Sequence, residues 1–138
     1  MAALSAARMT KSQELGVKRK FPLAAVACYK GGLAMINSAG YVTPATASAS
    51  NKGCVGIFVD DVDNSGGSAG DLSVEVQEGE FLFVGVGLTQ AEVGDVCYAS
   101  DDQTFSNAQA SNEPQAGKLV EYVSATSGWI AVGAAFAS

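Results

Sequence analysis

Histidine is missing from this chain of 138 residues, and its absence removes several classes of enzyme. Imidazole is the commonest general base and the commonest transition-metal ligand in proteins. Without it, neither a Ser-His-Asp triad nor a Cys-His pair can be assembled within the chain. The length is that of one ordinary domain. We therefore expect no enzymatic activity and no cofactor, and we look for a binding or structural role.

Cysteine is also scarce and occurs only as Cys28, Cys54 and Cys97. The odd number and the wide spacing are unlike a secreted disulfide scaffold, and the paired spacings of a zinc site are absent. Each cysteine stands in an apolar run, in AAVACY, GCVGIFV and DVCYA. We therefore predict unpaired, shielded thiols in a protein made in a reducing cytoplasm.

Long apolar runs are absent too. No segment reaches the roughly 20 residues that a membrane-spanning helix needs. The opening segment, MAALSAARMTKSQELGVKRKF, has no long apolar stretch ahead of a cleavage site, which predicts that it is not a secretory signal. We expect no membrane partner.

Positive charge is concentrated near the beginning of the chain. Residues 1–30 carry six basic side chains against one acid, a net charge of +5. Residues 31–138 carry two basic side chains against thirteen acids, a net charge of −11. This asymmetry predicts that the N-terminal segment docks on something acidic. The acidic body argues against nucleic acid, which leaves an acidic protein surface, including a second copy of the chain.

Turn signals and short apolar stretches predict an all-β fold. Residues 1–22 show no β alternation and predict an extended or partly helical basic arm, followed by a β-domain over 23–138. Eight to ten short strands, with turns every 8 to 12 residues, are typical of a single jelly-roll or β-sandwich domain or a small β-barrel. Thr89 and Glu92 match a capping box, but Gly94 limits any helix there to one turn.

Alternation of apolar and polar residues is clearest in LSVEVQ, residues 72–77. The turn EGE and the more buried FLFVGV follow, so residues 72–86 predict a hairpin. GKLVEYVS and WIAVGAAF, separated by ATSG, predict a second hairpin. Gly56 predicts a bulge in the strand over 53–62, and Pro44 predicts a strand end or an edge strand.

The densest cluster of reactive groups is GDVCYASDDQTF, residues 94–105. A nucleophilic cysteine needs a base or a cation nearby, whereas Cys97 is followed by the anionic Asp101 and Asp102. Aspartate is common in turns because its side chain hydrogen-bonds nearby backbone amides. We therefore interpret this segment as two strands joined by a polar turn.

The segment DDVDNSGGSAGD, residues 60–71, partly matches a calcium-binding loop. In a register that begins at Asp61, Asp63 and Gly66 occupy the expected positions, but Leu72 stands where the bidentate glutamate belongs. No helical pattern flanks the segment. We interpret it as a flexible, solvated loop and leave weak calcium binding open.

Four glycine-punctuated segments follow one another along the chain: GLAMINSAGYVTPA, GCVGIFVDDVDNSGGSAGDLSVEVQEGEFLF, GDVCYASDDQTF and GKLVEYVSATSGWIAVG. Their motif positions are Gly94, Asp95 and Tyr98, then Asp102 and Phe105, then Gly117 and the run from Trp129 to Val132. This ordered set, over roughly residues 31–134, resembles the small β-rich cement or decoration proteins of tailed-bacteriophage heads.

The resemblance implies a protein that binds the outside of an assembled capsid and clamps neighbouring major capsid subunits. It implies no catalytic residues. The partners would be the major capsid protein and further copies of the chain, which we expect to form a dimer or trimer on the virion exterior. The basic arm is not covered by the resemblance. From charge alone, we predict that its basic residues contact the capsid, namely Arg8, Lys11, Lys18, Arg19 and Lys20.

Two other functions stay open at this stage. A glycan- or receptor-binding β-domain of a virion spike would need an exposed aromatic cluster, for which Trp129 and four tyrosines are available. A small hydrolase would need two aspartates on facing strands inside a cleft. Binding to a glycan array tests the first function, and activity assays test the second.

Overall fold

The computed structural model describes residues 18–133, and short β-strands build most of this range. The strands are β1 Lys18–Pro22, β2 Ala27–Cys28, β3 Leu33–Asn37, β4 Val42–Pro44, β5 Asn51–Phe58, β6 Val62–Asp63, β7 Ser73–Gln77, β8 Gly79–Gly85, β9 Val96–Ala99, β10 Thr104–Ser106, β11 Gln115–Ser124 and β12 Ser127–Val132. The prediction of an all-β fold is confirmed for the described residues.

The helical element within residues 18–133 is a 3-10 turn at Gln90–Glu92. The backbone N–H of Thr89 donates a hydrogen bond to Glu92 Oε1 at 2.9 Å. This is one of the two reciprocal hydrogen bonds that define the predicted capping box. The turn ends before Gly94, which has a positive φ of 95°. The predicted limit of one helical turn is therefore confirmed.

Five strands form an open antiparallel sheet in the order β1-β7-β5-β3-β4. Another five close into a barrel in the order β10-β8-β12-β11-β9, in which only β8 and β10 run parallel. The short strands β2 and β6 pair separately. The structure therefore contains a small barrel, one of the three predicted architectures, packed against an open sheet.

The sheet and the barrel share one hydrophobic core. Leu33 and Cys54 of the sheet pack in the same cluster as Phe105 and Ile130 of the barrel. The opposite face of the sheet packs into a second cluster, which consists of Leu23, Cys28, Ala34, Val42, Val55, Phe58, Val74 and Val76. Because the centre of the sheet is buried on both faces, β5 is apolar along most of its length and does not alternate.

Two of the three predicted hairpins are present. The strands β9 and β10 pair antiparallel, with Phe105 opposite Ala99, and they span the GDVCYASDDQTF segment. The strands β11 and β12 pair antiparallel around the predicted turn, with Leu119 opposite Ile130. Four residues, 100–103, join the first pair, and two residues, 125–126, join the second.

The predicted hairpin over residues 72–86 is wrong. The strand β7 pairs with β1 and β5 in the sheet, whereas β8 pairs with β12 and β10 in the barrel. Glu78 alone separates β7 from β8, which is too short for the two-residue loop of a tight hairpin. The chain crosses here from the sheet to the barrel. Alternation identifies a strand and its buried face, but it does not identify the strand's partner.

The β-domain begins earlier than the predicted boundary at residue 22. Lys18–Pro22 form β1, which pairs along its whole length with β7. Phe21 lies opposite Val74 and packs against the second core cluster. Residues 18–22 therefore belong to the sheet and not to a separate arm. Residues 1–17 of the predicted arm lie outside the described residues.

Two local predictions about β4 and β5 are confirmed. The strand β4, which ends at Pro44, is an edge strand of the sheet. The register of β3 against β5 shifts beside Gly56, at the predicted bulge. A Cβ atom at Gly56 would overlap the carbonyl oxygen of Gln77, so glycine permits the close approach of β5 to β7.

Candidate interaction surface

Three of the five basic residues predicted to contact a capsid lie on the edge strand β1. Lys18, Arg19 and Lys20 are all exposed. Because side chains alternate along a strand, Lys18 and Lys20 point to one face and Arg19 to the other. Arg8 and Lys11 lie outside the described residues.

Acidic side chains on the neighbouring segment partly balance this basic strand. Lys20 lies opposite Glu75 on β7, and Arg19 Nε lies 3.4 Å from Glu78 Oε1. Exposed ion pairs of this kind contribute about 0–1 kcal/mol each. The outer edge of β1 has no strand partner among residues 18–133, and lysines on such an edge discourage pairing with a foreign strand.

The segment GDVCYASDDQTF contains no nucleophilic site. Asp101 Oδ1 accepts a hydrogen bond from the backbone N–H of Gln103 at 2.8 Å, as expected for an aspartate in a turn. The Cys97 side chain is fully buried, and desolvation is the main cause that raises the pKa of its thiol to about 11. At neutral pH, Cys97 is a protonated thiol inside the barrel, and the aspartates lie in the turn outside it.

The other two thiols are shielded as well, as the sequence predicts. Cys54 is buried, and desolvation raises the pKa of its thiol to about 12. Desolvation also raises the pKa of Cys28, which borders a shallow surface cleft with Val62 and Asp63. All three cysteines are free.

We expect the native protein at pH 8 to react with a thiol reagent much more slowly than the unfolded protein, because burial and raised pKa values suppress the thiolate. Cys28 should react first, since it borders a surface cleft, and Cys54 should react last. Mass spectrometry of labelled peptides, with and without guanidinium, measures this order. Rapid labelling of Cys54 in the native state would contradict its burial.

The loop over residues 60–71 is organised around a buried polar side chain that the sequence does not reveal. Asn64 is 3 % exposed, and its Nδ2 donates hydrogen bonds to the carbonyl oxygens of Leu23, Ala24 and Ser68 at 3.0 to 3.2 Å. The interpretation of this loop as flexible and solvated is therefore wrong at Asn64. In a loop rich in glycine and serine, an asparagine looks like an ordinary turn residue.

The aspartates of the same loop accept hydrogen bonds from backbone N–H groups. Asp61 Oδ1 accepts a hydrogen bond from the N–H of Lys30 at 2.8 Å, and Asp71 Oδ2 accepts one from the N–H of Ser68 at 2.9 Å. Hydrogen bonds from Ser65 lower the pKa of Asp63. No three acidic or thiol side chains of residues 18–133 converge as a metal site would require.

Large apolar side chains are exposed on the outside of the barrel, where β8, β12 and β11 lie side by side. We call this surface the barrel face; its exposed apolar residues are Leu82, Val84, Val86, Val120, Val123 and Trp129. Phe81 and Phe83 point inward and pack against the core. The interpretation of FLFVGV as a buried strand is therefore correct for only one of its faces.

Strand pairing fixes the neighbours of Trp129 on the barrel face. Trp129, which is 36 % exposed, lies on the central strand β12 and pairs with Leu82 of β8, which is 51 % exposed. On the other side, Trp129 pairs with Glu121 of β11. Two residues along β12, Ser127 pairs with Val84. The exposed apolar side chains of β8 and β12 thus adjoin, whereas β11 places the charged Glu121 beside Trp129.

A polar cleft of about 320 Å³ lies between the beginning of β5 and the barrel. Its lining residues are Asn51, Lys52, Gly53, Tyr98, Gln109, Glu113 and Gln115. Gln115 Oε1 is buried and has no hydrogen-bond partner within the described part of the chain. An unpaired buried acceptor costs about 1–3 kcal/mol unless a donor reaches it.

No family model matches the chain, and neither the curated proteins nor the solved structures yield a match. Within residues 18–133, no helix is long and apolar enough to cross a membrane. The exposed surfaces of the fold are therefore the guide to function.

Proposed function

We propose that this chain is a structural virion protein that binds the outer surface of an assembled phage capsid and cements neighbouring major capsid subunits. In this proposal, it is made in the host cytoplasm and its partners are the major capsid protein and further copies of itself. No nucleic acid, membrane, cofactor or catalytic step takes part. The proposal is supported by the resemblance over residues 31–134 and by the surfaces of the β-domain.

The observation that carries the proposal is the barrel face. A cluster of large exposed apolar side chains on a soluble protein marks a surface that binds another molecule. Leu82 and Trp129 lie side by side at the middle of this one. In the GDVCYASDDQTF segment, the Cys97 thiol is buried and Asp101 accepts a hydrogen bond from a backbone amide of the turn. Binding to protein is the role that this surface supports best.

The basic strand β1 supplies a second surface in this proposal, directed at an acidic patch of the capsid. Each exposed charge contributes little by itself. A cement protein, however, is repeated over the whole shell, so that many weak contacts add to a large total stabilisation through multivalency. Such contacts would oppose the outward pressure of packaged DNA.

We expect the full chain to co-sediment with empty capsids that lack it. The triple variant Lys18→Ser, Arg19→Ser and Lys20→Ser should bind about tenfold more weakly at low salt, because each lost charge contributes up to about 1 kcal/mol. The difference should shrink as salt rises, since ions screen exposed charges. Sedimentation of both proteins at two ionic strengths measures the effect.

The double variant Lys30→Ser and Lys52→Ser is the control, because it removes exposed positive charges outside β1. Deletion of residues 1–17 leaves β1 intact and isolates the contribution of Arg8 and Lys11. If the shortened chain binds capsids as well as the full chain, Arg8 and Lys11 do not contribute to the contact. Failure of the full chain to co-sediment would overturn the proposal.

The polar cleft favours a second candidate, a glycan- or receptor-binding domain of a virion spike. Lys52, Glu113 and Gln115 offer donors and acceptors beside the ring of Tyr98, a combination that suits the hydroxyl groups of a saccharide. Binding on a glycan array that is lost in Gln115→Leu would support this candidate. Capsid binding without any glycan binding would reject it.

A further inference from the structure

We infer that the surface around Tyr29 binds a neutral oligosaccharide. The inference goes beyond the proposed function, because it uses no residue of β1 or of the barrel face and needs no capsid. The site is also separate from the polar cleft beside Tyr98. The exposure of Tyr29, the two clefts that it lines and the chemistry of their linings lead to this ligand.

Tyr29 is the most exposed of the large apolar and aromatic residues within 18–133, at 63 %. It follows β2 directly, and side chains alternate along an extended chain. Cys28 therefore packs in the second core cluster, and Tyr29 points outward. A single exposed tyrosine is ordinary on a protein surface. Tyr29 differs because it lines two clefts at once.

The larger cleft has a volume of about 340 Å³, and its lining consists of Tyr29, Lys30, Gly31, Gly32, Asp102 and Gln103. Ligand clefts of proteins usually measure about 300–1,000 Å³. A Cβ atom at Gly32 would lie 3.1 Å from Asp102 Oδ2 and 3.2 Å from the carbonyl oxygen of Tyr29. A side chain at this position would therefore occupy the space between Tyr29 and Asp102, and glycine leaves that space open.

The smaller cleft has a volume of about 190 Å³ and is lined by Ala27, Cys28, Tyr29, Asp61, Val62 and Asp63. Tyr29 is the residue that the two linings have in common. A ligand that packs on the ring of Tyr29 can therefore extend into both clefts. This arrangement favours an elongated ligand of several units over a single small molecule.

Hydrogen bonds hold the loop that carries Tyr29 on two sides. The N–H of Lys30 donates a hydrogen bond to Asp61 Oδ1 at 2.8 Å, which joins the loop to the segment after β5. The N–H of Leu33 donates one to the carbonyl oxygen of Asp102 at 2.8 Å, which joins it to the turn between β9 and β10. A ligand therefore meets a site that is already formed, and this reduces the entropic cost of binding.

The larger cleft offers three kinds of polar group beside the aromatic ring. The carboxylate of Asp102 only accepts hydrogen bonds, the ammonium group of Lys30 only donates them, and the amide of Gln103 does both. Within residues 18–133, no hydrogen bond or ion pair engages the side chain of any of these three residues. Their polar groups are therefore available to a ligand.

Neutral hydroxyl groups match this set of polar groups best. Asp102 would repel an anion and Lys30 a cation, and an apolar ligand would leave the carboxylate without hydrogen-bond donors. A hydroxyl group both donates and accepts, so that neighbouring hydroxyls satisfy a carboxylate, an amide and an ammonium group together. Sugar rings carry such hydroxyls, and their apolar C–H faces pack on an aromatic ring such as that of Tyr29.

Titration calorimetry of the full chain with maltohexaose, cellohexaose and mannohexaose tests the inference. We expect at least one of these hexaoses to bind with a Kd below about 1 mM. Glucose and mannose should bind at least about tenfold more weakly, since a single ring occupies only one of the two clefts. If none of the three hexaoses binds at about 10 mM, ten times a millimolar Kd, the inference is overturned.

Two variants locate the site. Tyr29→Ser should remain folded by circular dichroism, because the side chain is exposed, and should raise the Kd of the hexaose at least about tenfold. Gln103→Leu removes an exposed amide and should raise the Kd about threefold or more. Gln115→Leu is the matched control, since it makes the same change in the polar cleft and should leave the Kd within about twofold of wild type.

The remaining outcomes separate this site from its competitors. Asp61 and Asp63 make a polyamine the strongest competing ligand, so spermidine that binds more tightly than every hexaose and is lost in Tyr29→Ser overturns the inference. Hexaose binding that is lost in Gln115→Leu but kept in Tyr29→Ser places the sugar in the polar cleft, which also overturns it.

The inference and the cement function fail independently of each other. Hexaose binding that depends on Tyr29, by a chain that does not co-sediment with capsids, keeps the inference and rejects the cement function. Capsid binding by a chain that binds none of the hexaoses does the reverse.

Discussion

Gly117→Ala is expected to lower the free energy of unfolding by about 3–5 kcal/mol, a large part of the total stability of a domain of this size. Gly117 has a φ of 153°, and a Cβ atom there would overlap the carbonyl oxygen of Ala131 on β12. The overlapped atom is backbone, so relief requires β11 and β12 to separate. Those two strands are adjacent in the barrel, and closure depends on their pairing.

Gly66→Ala is the matched control for this prediction. No atom lies within 4 Å of a Cβ built at Gly66, and its φ is not positive. The same chemical change should therefore alter stability by less than about 0.5 kcal/mol or raise it slightly. Denaturant titration followed by circular dichroism measures both variants. Similar stability of Gly117→Ala and Gly66→Ala would mean that β11 and β12 are not packed as described.

Asn64→Asp is expected to destabilise the protein by about 3–5 kcal/mol at neutral pH, although the two side chains have nearly the same shape. Asn64 donates to three carbonyl oxygens and is buried. A carboxylate has no proton to donate and would face those oxygens with a negative charge. The buried charge would have no compensating partner, and the segment at residues 23–26 would lose its link to the loop.

The loss of stability caused by Asn64→Asp should depend on pH. Burial and the surrounding carbonyl oxygens favour the neutral form, so the pKa of the introduced carboxyl in the folded state should exceed its unfolded value of about 3.9. The folded state then binds the proton more tightly than the unfolded state. Relative to wild type, the variant should lose stability as pH rises above about 4 and regain it as pH falls. Denaturant titrations at several pH values measure this difference.

Asn37→Asp is the control, because it makes the same change from amide to carboxylate at a side chain that only accepts hydrogen bonds from backbone groups. Asn37 Oδ1 accepts hydrogen bonds from the N–H groups of Ala39 and Tyr41 at 3.0 Å each. A carboxylate accepts such bonds at least as well as an amide, so this variant should keep its stability at neutral pH. An Asn64→Asp protein as stable as the Asn37→Asp protein would contradict the buried donor network.

The local features of the fold could be predicted from the sequence because they depend on neighbouring residues. The hairpins β9–β10 and β11–β12 join their strands through connections of four and two residues, and turn residues at these places appear directly in the sequence. The burial of Cys54 and Cys97 follows from their apolar surroundings. The edge position of Pro44 follows from its missing N–H, which cannot join a central strand.

The features that involve distant segments could not be predicted in this way. The alternating strand β7 pairs with β1, more than fifty residues earlier, and not with β8, which follows it. The sequence predicts an arm at the basic residues 18–20 because β1 is too short and too highly charged to show the apolar–polar alternation of a strand. Asn64 has a structural role only because residues 23–26 lie beside its loop.

The sequence by itself determined the class of the fold, two of the three predicted hairpins, the shielding of the thiols and the absence of histidine-based chemistry. Each of these depends on residue type or on spacings of a few residues. The tertiary structure decided which strands pair, which side of FLFVGV stays exposed, and that Trp129 lies between Leu82 and Glu121. The physical reason is that pairing and burial depend on which distant segments meet, and a repeat of two residues is compatible with many partners.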